Sequence, residues 1–193
     1  GDGYFILPFT ISNYLADQTK TPRIPVDLKE FDEAEENVRK KLEKLISING
    51  TQTPTFFHKK LGKIMWDYCG MVRNEEGLKK AEELVKELKH EFWTDLKVPG
   101  NLNELNQEIE KAGRVSDFFD LAGLLITDAL NRKESCGAHF REESQTPDGE
   151  AQRNDDEYLY VAAWEFKGEE RPHQLHKEKL KFEEVEVQVR SYK

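Results

Sequence analysis

The chain has 193 residues, enough for one large domain or two small ones. Charged residues make up 35% and hydrophobic ones 37%, a polar balance that suits helices with one apolar stripe and one wet face. A net charge of -9 argues against a nucleic-acid binder, two cysteines make no disulfide framework, and no apolar run reaches the ~18 residues that span a bilayer.

The run Gly1-Asp-Gly-Tyr-Phe-Ile-Leu-Pro-Phe-Thr-Ile-Ser-Asn-Tyr-Leu15 opens the chain on dense apolar and aromatic residues. Free termini are usually polar. The expectation is a piece of a larger protein. The alternative is a short amphipathic helix over 9–16 that packs on its own bundle. Thr21-Pro-Arg-Ile-Pro25 reads as a linker, because two prolines fix φ and restrict their predecessors.

Four helices are predicted next. The first runs over 27–47, with Leu28, Phe31, Ala34, Val38, Leu42 and Leu45 on one stripe. Acidic residues crowd its first half and basic ones its second, which complements the helix dipole. Asn49-Gly50 stops it. The second begins at a Thr53 cap with Pro54 at its first position. Its stripe is Phe57, Leu61, Ile64, Tyr68 and Val72. Gly70 either ends this helix or admits a close neighbour, and Arg73 follows as a cation favoured by the dipole. The third starts at an Asn74 cap and runs to 97 on Leu78, Ala81, Val85, Leu88 and Phe92, before Val98-Pro99-Gly100. The fourth covers 101–132 on Leu102, Leu105, Ile109, Ala112, Phe119, Ala122, Ile126 and Leu130. Apolar residues surround it beyond Val115, so that half is expected to be covered on several sides, with Gly113 and Gly123 kinking it or allowing close packing. Short loops make antiparallel neighbours.

From Glu134 the texture changes. Gln145-Thr-Pro-Asp-Gly149 is a turn. Strands are predicted over 158–166 and 180–189, the latter alternating Val185, Val187 and Val189 with polar residues, and 168–172 links them as an antiparallel pair. The fold class is therefore mainly α: an up-and-down antiparallel bundle of three to four helices, spectrin-repeat-like, followed by a small C-terminal subdomain with a few β-strands. The expected divisions are 1–26, 27–132 and 133–193.

Chemistry-bearing patterns are sparse. There is no Gly-x-Gly-x-x-Gly after a strand, no Gly-x-Ser-x-Gly and no phosphate loop. Cys136, His139, His173 and His176 could be drawn as a zinc set, but the cysteine content is too low for one, and the expectation is no metal. Nothing in the sequence marks Cys136 with His139 as a nucleophile and base, which would need an activated thiol and an orienting third group. Glu142, Glu143, Glu150, Asp155 and Asp156 match no calcium loop and read as a solvated face. Arg132, Arg141 and Arg153 surround the stretch 131–143, and arginine forks can bind carboxylates.

Four segments together carry a family resemblance: the Asp2-Gly-Tyr-Phe5 start, the run Met65-Trp-Asp-Tyr-Cys-Gly-Met-Val-Arg73 followed by Gly77-Leu78, the run Glu134-Ser-Cys-Gly-Ala-His-Phe-Arg141, and the tail Arg190-Ser-Tyr192. In order, they resemble the C-terminal region of succinate dehydrogenase and fumarate reductase flavoprotein subunits. Cys136 stands where many members have arginine, and the segment 143–150 is longer than usual. The resemblance implies a parent oxidoreductase with FAD, passing electrons between succinate or fumarate and a quinone. Its substrate and flavin residues lie in domains absent from this sequence, so no catalytic, cofactor-binding or metal residue is carried over. This chain alone would be inactive and would bind no flavin.

Arg132, Ser135, Gly137, His139, Arg141, Arg190, Ser191 and Tyr192 are the candidate domain-interface residues, and His139 and Arg141 are expected to tie the end of the fourth helix to the flavin domain. The implied partners are the flavin domain of the same subunit, an iron–sulfur subunit and a membrane anchor, with no nucleic acid. The implied location is peripheral, on the cytoplasmic side of the inner membrane, with the chain itself soluble. An exposed apolar patch would also allow a dimer. The competing readings are a free-standing helical interaction module and the C-terminal part of an L-aspartate oxidase.

Overall fold

The computed structural model describes residues 1–168 and 171–188. The chain forms two compact units, Gly1–Lys41 and a second that begins at Leu42.

The first unit opens with α1 (Asp2–Phe9), which runs into a π-helical turn (Thr10–Tyr14) and a 3-10 turn (Ala16–Lys20). None of these elements buries a residue: Tyr4 is 79% exposed and Tyr14 83%, with Phe5, Phe9 and Ile11 also open. The segment 21–25 has no regular structure, as its prolines require. α2 (Lys29–Ser47) then begins. Its exposed pairs Lys29–Glu33, Glu35–Arg39 and Glu36–Lys40 are one turn apart and support the helix locally. Phe31 and Val38 on its stripe are exposed.

The second unit holds the core. α3 (Pro54–Cys69), α4 (Glu75–Asp95) and α5 (Gln107–Asn131) pack on one another. Lys60–Glu91 joins α3 to α4, and Lys89–Asp120 joins α4 to α5. The pairings run in opposite sequence directions, as an up-and-down bundle requires. Thr53 accepts from the Phe56 amide, and Asn74 from the Gly77 amide, so both predicted caps stand. Every residue of the α4 stripe is buried. Phe57, Phe92 and Phe119 meet ring to ring at the centre. From α2 only the last turns take part, through Leu42, Leu45 and Ile46.

Several expectations change here. α5 starts at Gln107, not 101, because Asn106 caps it: its Oδ1 accepts from the Glu108 and Ile109 amides, and its Nδ2 donates to the Pro99 carbonyl. Leu105 is exposed. The second half of α5 is not covered all round, since Phe118, Leu121 and Leu125 are open. A Cβ on Gly113 or Gly123 would meet nothing within 4 Å, so neither mediates close packing. At Gly50, in contrast, a Cβ would sit 2.2 Å from the Asp95 carbonyl carbon. The chain entering α3 lies against the chain leaving α4, and Gln52 pairs with Leu96 in a short parallel bridge. Asp95 completes the clasp by accepting from the Thr51 amide and hydroxyl.

The subdomain contains a short α6 (Asp155–Tyr158) and two antiparallel strands, β1 (Tyr160–Glu165) and β2 (Gln174–Lys179). The second predicted strand is misplaced: Gln174–Lys179 pairs with β1, and 180–188 forms no strand. Cross-strand contacts account for this. Leu175 opposes Trp164, His176 pairs with Glu165, and the Lys177 ammonium lies over the Tyr160 ring. Val189 lies outside the described residues. Trp164 donates to Asp128 at 2.7 Å and ties the sheet to α5. Among the described residues, no helix is long and apolar enough to cross a membrane.

Candidate functional site

The site is the stretch that leaves α5 and returns beneath it. α5 ends at Asn131, and Arg132 is its C-cap. Arg132 turns away from solvent, lies against the neighbouring rings of Tyr158 and Tyr160, and donates to both of their backbone carbonyls. The next turn is a two-residue hairpin: Cys136 and His139 exchange backbone hydrogen bonds around Gly137-Ala138. Gly137 has φ +58, the left-handed conformation that such a loop demands and that glycine adopts without strain.

Two side chains anchor the hairpin. Ser135 is fully buried, and its hydroxyl accepts from the Arg141 amide at 2.8 Å. Arg141 is 2% exposed and donates to the Ala129 carbonyl, one of the orphan acceptors at the end of α5. Arg73 does the same for α3: its Nε donates to the Cys69 and Gly70 carbonyls. The backbones of Arg73 and Arg141 pair as a bridge, the Arg73 amide donating to Phe140 and the Glu142 amide to Arg73. Cationic side chains thus close the C-terminal ends of α3 and α5, where the dipole favours them.

His139 lies between these ends. Its Nδ1 is 2.9 Å from the Arg73 guanidinium, and its Nε2 is 2.8 Å from the Arg132 carbonyl. A guanidinium can only donate and a carbonyl can only accept, so the ring is neutral with its proton on Nε2. Burial pushes the His139 pKa down; the Arg132 carbonyl opposes this, and the neighbouring Arg73 and Arg141 charges add to the lowering.

The three arginines that could have formed carboxylate forks are already paired. Arg132 meets Glu134 at 2.6 Å, Arg141 meets Glu143 at 3.1 Å, and Arg153 meets Asp155 at 2.5 Å. Each partner lies two residues on in sequence. Glu134 is 3% exposed and also accepts from the Asn154 amide at the start of α6. Burial raises the Glu143 pKa, but the hydrogen bonds from Arg141 and the Glu75 amide outweigh it and hold the carboxyl below its usual range.

The structure therefore brings together Arg132, Ser135, Gly137, His139 and Arg141. Arg190, Ser191 and Tyr192 lie outside the described residues. Sequence reasoning found Arg73 as a helix-end cation but missed it as the partner of His139. It also missed Glu134, whose only signal was its spacing from Arg132. Among the described residues, no three His, Cys, Asp or Glu side chains gather to hold a metal. A glycine-rich turn between a strand and a helix start is the dinucleotide-phosphate cradle of doubly wound folds; α3, α4 and α5 each start instead from a loop capped by Thr53, Asn74 or Asn106.

The three-helix bundle, the hairpin after α5 and the paired strands belong to one helix-rich unit. Residues 58–192 match the family described as the fumarate reductase flavoprotein C-terminal region, and the chain belongs to that family. It is 37% identical over 111 residues to an uncharacterized FAD-dependent oxidoreductase of Methanocaldococcus jannaschii, covering 58% of this chain and 20% of that protein. It is 32% identical over 126 residues to the succinate dehydrogenase flavoprotein subunit of Bacillus subtilis, covering 64% of this chain and 20% of that one. L-aspartate oxidases also match. Among solved structures, a chain of E. coli quinol fumarate reductase superposes with a TM-score of 0.70 at 20% identity, over 87% of this chain and 27% of that one. The chain thus spans about a fifth of the length of these curated relatives.

Proposed function

We propose that this chain is the structural C-terminal part of a succinate dehydrogenase or fumarate reductase flavoprotein subunit. In this reading, residues 1–26 close the flavin domain, 27–132 form the helical domain, and 133–193 form the subdomain that leans on it. The flavin domain holds FAD and interconverts succinate and fumarate. Electrons pass through an iron–sulfur subunit to or from a quinone at the cytoplasmic side of the inner membrane. This chain buttresses the flavin domain and supplies no reacting group.

The family match over residues 58–192 carries the reading. The internal clamp supports it: Arg73, Arg132, His139 and Arg141 spend their polar atoms on helix ends and carboxylates, which is structural work. The open apolar face of α1 and its following turn suits a covering partner. His139 and Arg141 shape the interface from beneath, by fixing the hairpin that Cys136 and Gly137 expose.

The test is to mix this chain with a separately produced flavin domain. FAD retention and succinate oxidation should be absent with this chain alone and appear on mixing. No gain on mixing, with both pieces folded, would favour a free-standing interaction module. A mixture that oxidises L-aspartate in place of succinate would move the chain to the L-aspartate oxidases.

A further inference from the structure

We propose that His139 is a pH-operated latch that holds the exit of α5 against the corner between α3 and α4, and that acidification releases it.

The geometry permits only one charge state in the closed arrangement. Nδ1 must accept from Arg73, and Nε2 must donate to the Arg132 carbonyl. A second proton can go only to Nδ1, where it would point at a guanidinium. The hydrogen bond would then become a contact between two donors carrying like charge. The ring would have to leave, and the hairpin that carries it would leave with it.

The charged and titratable groups around the ring reinforce this. Arg73 faces it from the corner after α3, and Arg141 from the returning segment. Cys136 shares the hairpin and lines the same pocket of about 410 Å³. Among the described residues, Asp128 on α5 is the carboxylate lining this pocket; it favours the charged ring, but less than burial and the two arginines oppose it, and its Oδ1 is held by the Trp164 indole. Arg132 offers the ring its carbonyl, while its guanidinium is engaged by Glu134. Two arginines against one committed carboxylate make the pocket hostile to an imidazolium.

The sign follows from linkage. The folded-state pKa lies below the ordinary histidine value of 6.5. The latch contribution is therefore complete above that value and is lost as pH falls through the folded pKa. The released bonds are specific. The Arg73 amide donates to Phe140, and the Glu142 amide donates to Arg73, only while the segment lies closed. The latch is independent of the flavoprotein reading, since every group in it belongs to this chain.

The experiment uses the 193-residue chain. Amide hydrogen exchange of Arg73 and Glu142 is followed from pH 7.5 to 5, in the wild type and in His139→Gln. The glutamine amide has an oxygen and a nitrogen spaced like the two ring nitrogens, accepts and donates as the neutral ring does, and does not titrate. Protection at both amides should fall in the wild type by up to about tenfold for each pH unit between 6.5 and the lower His139 midpoint, level off below that midpoint, and stay level throughout in His139→Gln. Equal loss in both proteins, or none in the wild type, would overturn the proposal. The ring of the wild type is titrated by NMR in parallel, so the idea stays falsifiable even if the variant folds poorly. A midpoint below 6.5 with the proton on Nε2 is expected, and a midpoint at or above 6.5 would refute the latch.

Discussion

α2 and α4 carry the same message in sequence and meet different fates. Each repeats apolar residues at steps of three and four, and each has an opposite face of paired charges. α4 buries its whole stripe, Leu78 to Phe92. α2 buries only Leu45, near its end, and leaves Phe31 and Val38 in solvent. Periodicity therefore reports that a face needs covering. It does not report which chain covers it. The bundle satisfies α4 from both sides, whereas the first unit leaves both α2 and α1 with apolar residues uncovered among the described residues.

That contrast can be broken most forcefully at the bundle centre. Phe92→Ala removes a fully buried ring that touches Phe57 and Phe119, and should cost about 3–5 kcal/mol in urea unfolding. Arg141→Met should cost about 2–3 kcal/mol, because it strips a charged donor from the Ala129 carbonyl and takes from Glu143 its arginine, leaving it the Glu75 amide. Asn74→Ala removes the cap of α4 and should cost about 1 kcal/mol.

A smaller effect should appear in acid. Glu143 has a folded-state pKa below 4.5, so its stabilising contribution is present above that value and is lost as pH falls through the folded one. Acid melts of the wild type should slope more steeply than those of Glu143→Gln below that value. The smallest effect sharpens the comparison from the other side. Val38→Ser on α2 should change stability by no more than about 0.5 kcal/mol, because the side chain is already in water. The same substitution should weaken pairing with a flavin domain, read as lost FAD retention in the mixture. A large loss of stability in Val38→Ser would show that α2 is covered after all.

How much was legible depended on whether a signal was local. Thr53-Pro54 and Asn74 could be read as caps because the partner amides lie three residues away. Asn106 was missed because Leu102 and Leu105 stay in phase with Ile109, so periodicity extends falsely across the loop. The density of asparagine was the contrary sign: Asn101 accepts from the Asn103 amide and closes a turn of its own. The clasp of Gly50 and Thr51 on Asp95 joins residues 44 apart in sequence and left no pattern to read. β2 was misplaced for the same reason. Its Gln174-Leu-His-Lys-Glu-Lys179 has no alternation worth the name, and only β1 across the sheet selects it. At the site, Arg132, His139 and Arg141 were legible as a group because they fall in or beside the run 134–141 that carries the family resemblance. The arginine that completes the group, Arg73, comes from 66 residues away.

The two cysteines differ in a way that makes the molecule report on itself. Cys69 is buried at the end of α3, and burial pushes its thiol pKa up against the opposing pull of Arg73. Cys136 is exposed on the hairpin. Alkylating reagents attack the thiolate and need access, so one modification per molecule marks the folded chain and two mark an opened one. A mass spectrum of the alkylated protein then counts folded and unfolded molecules directly, with no engineered label.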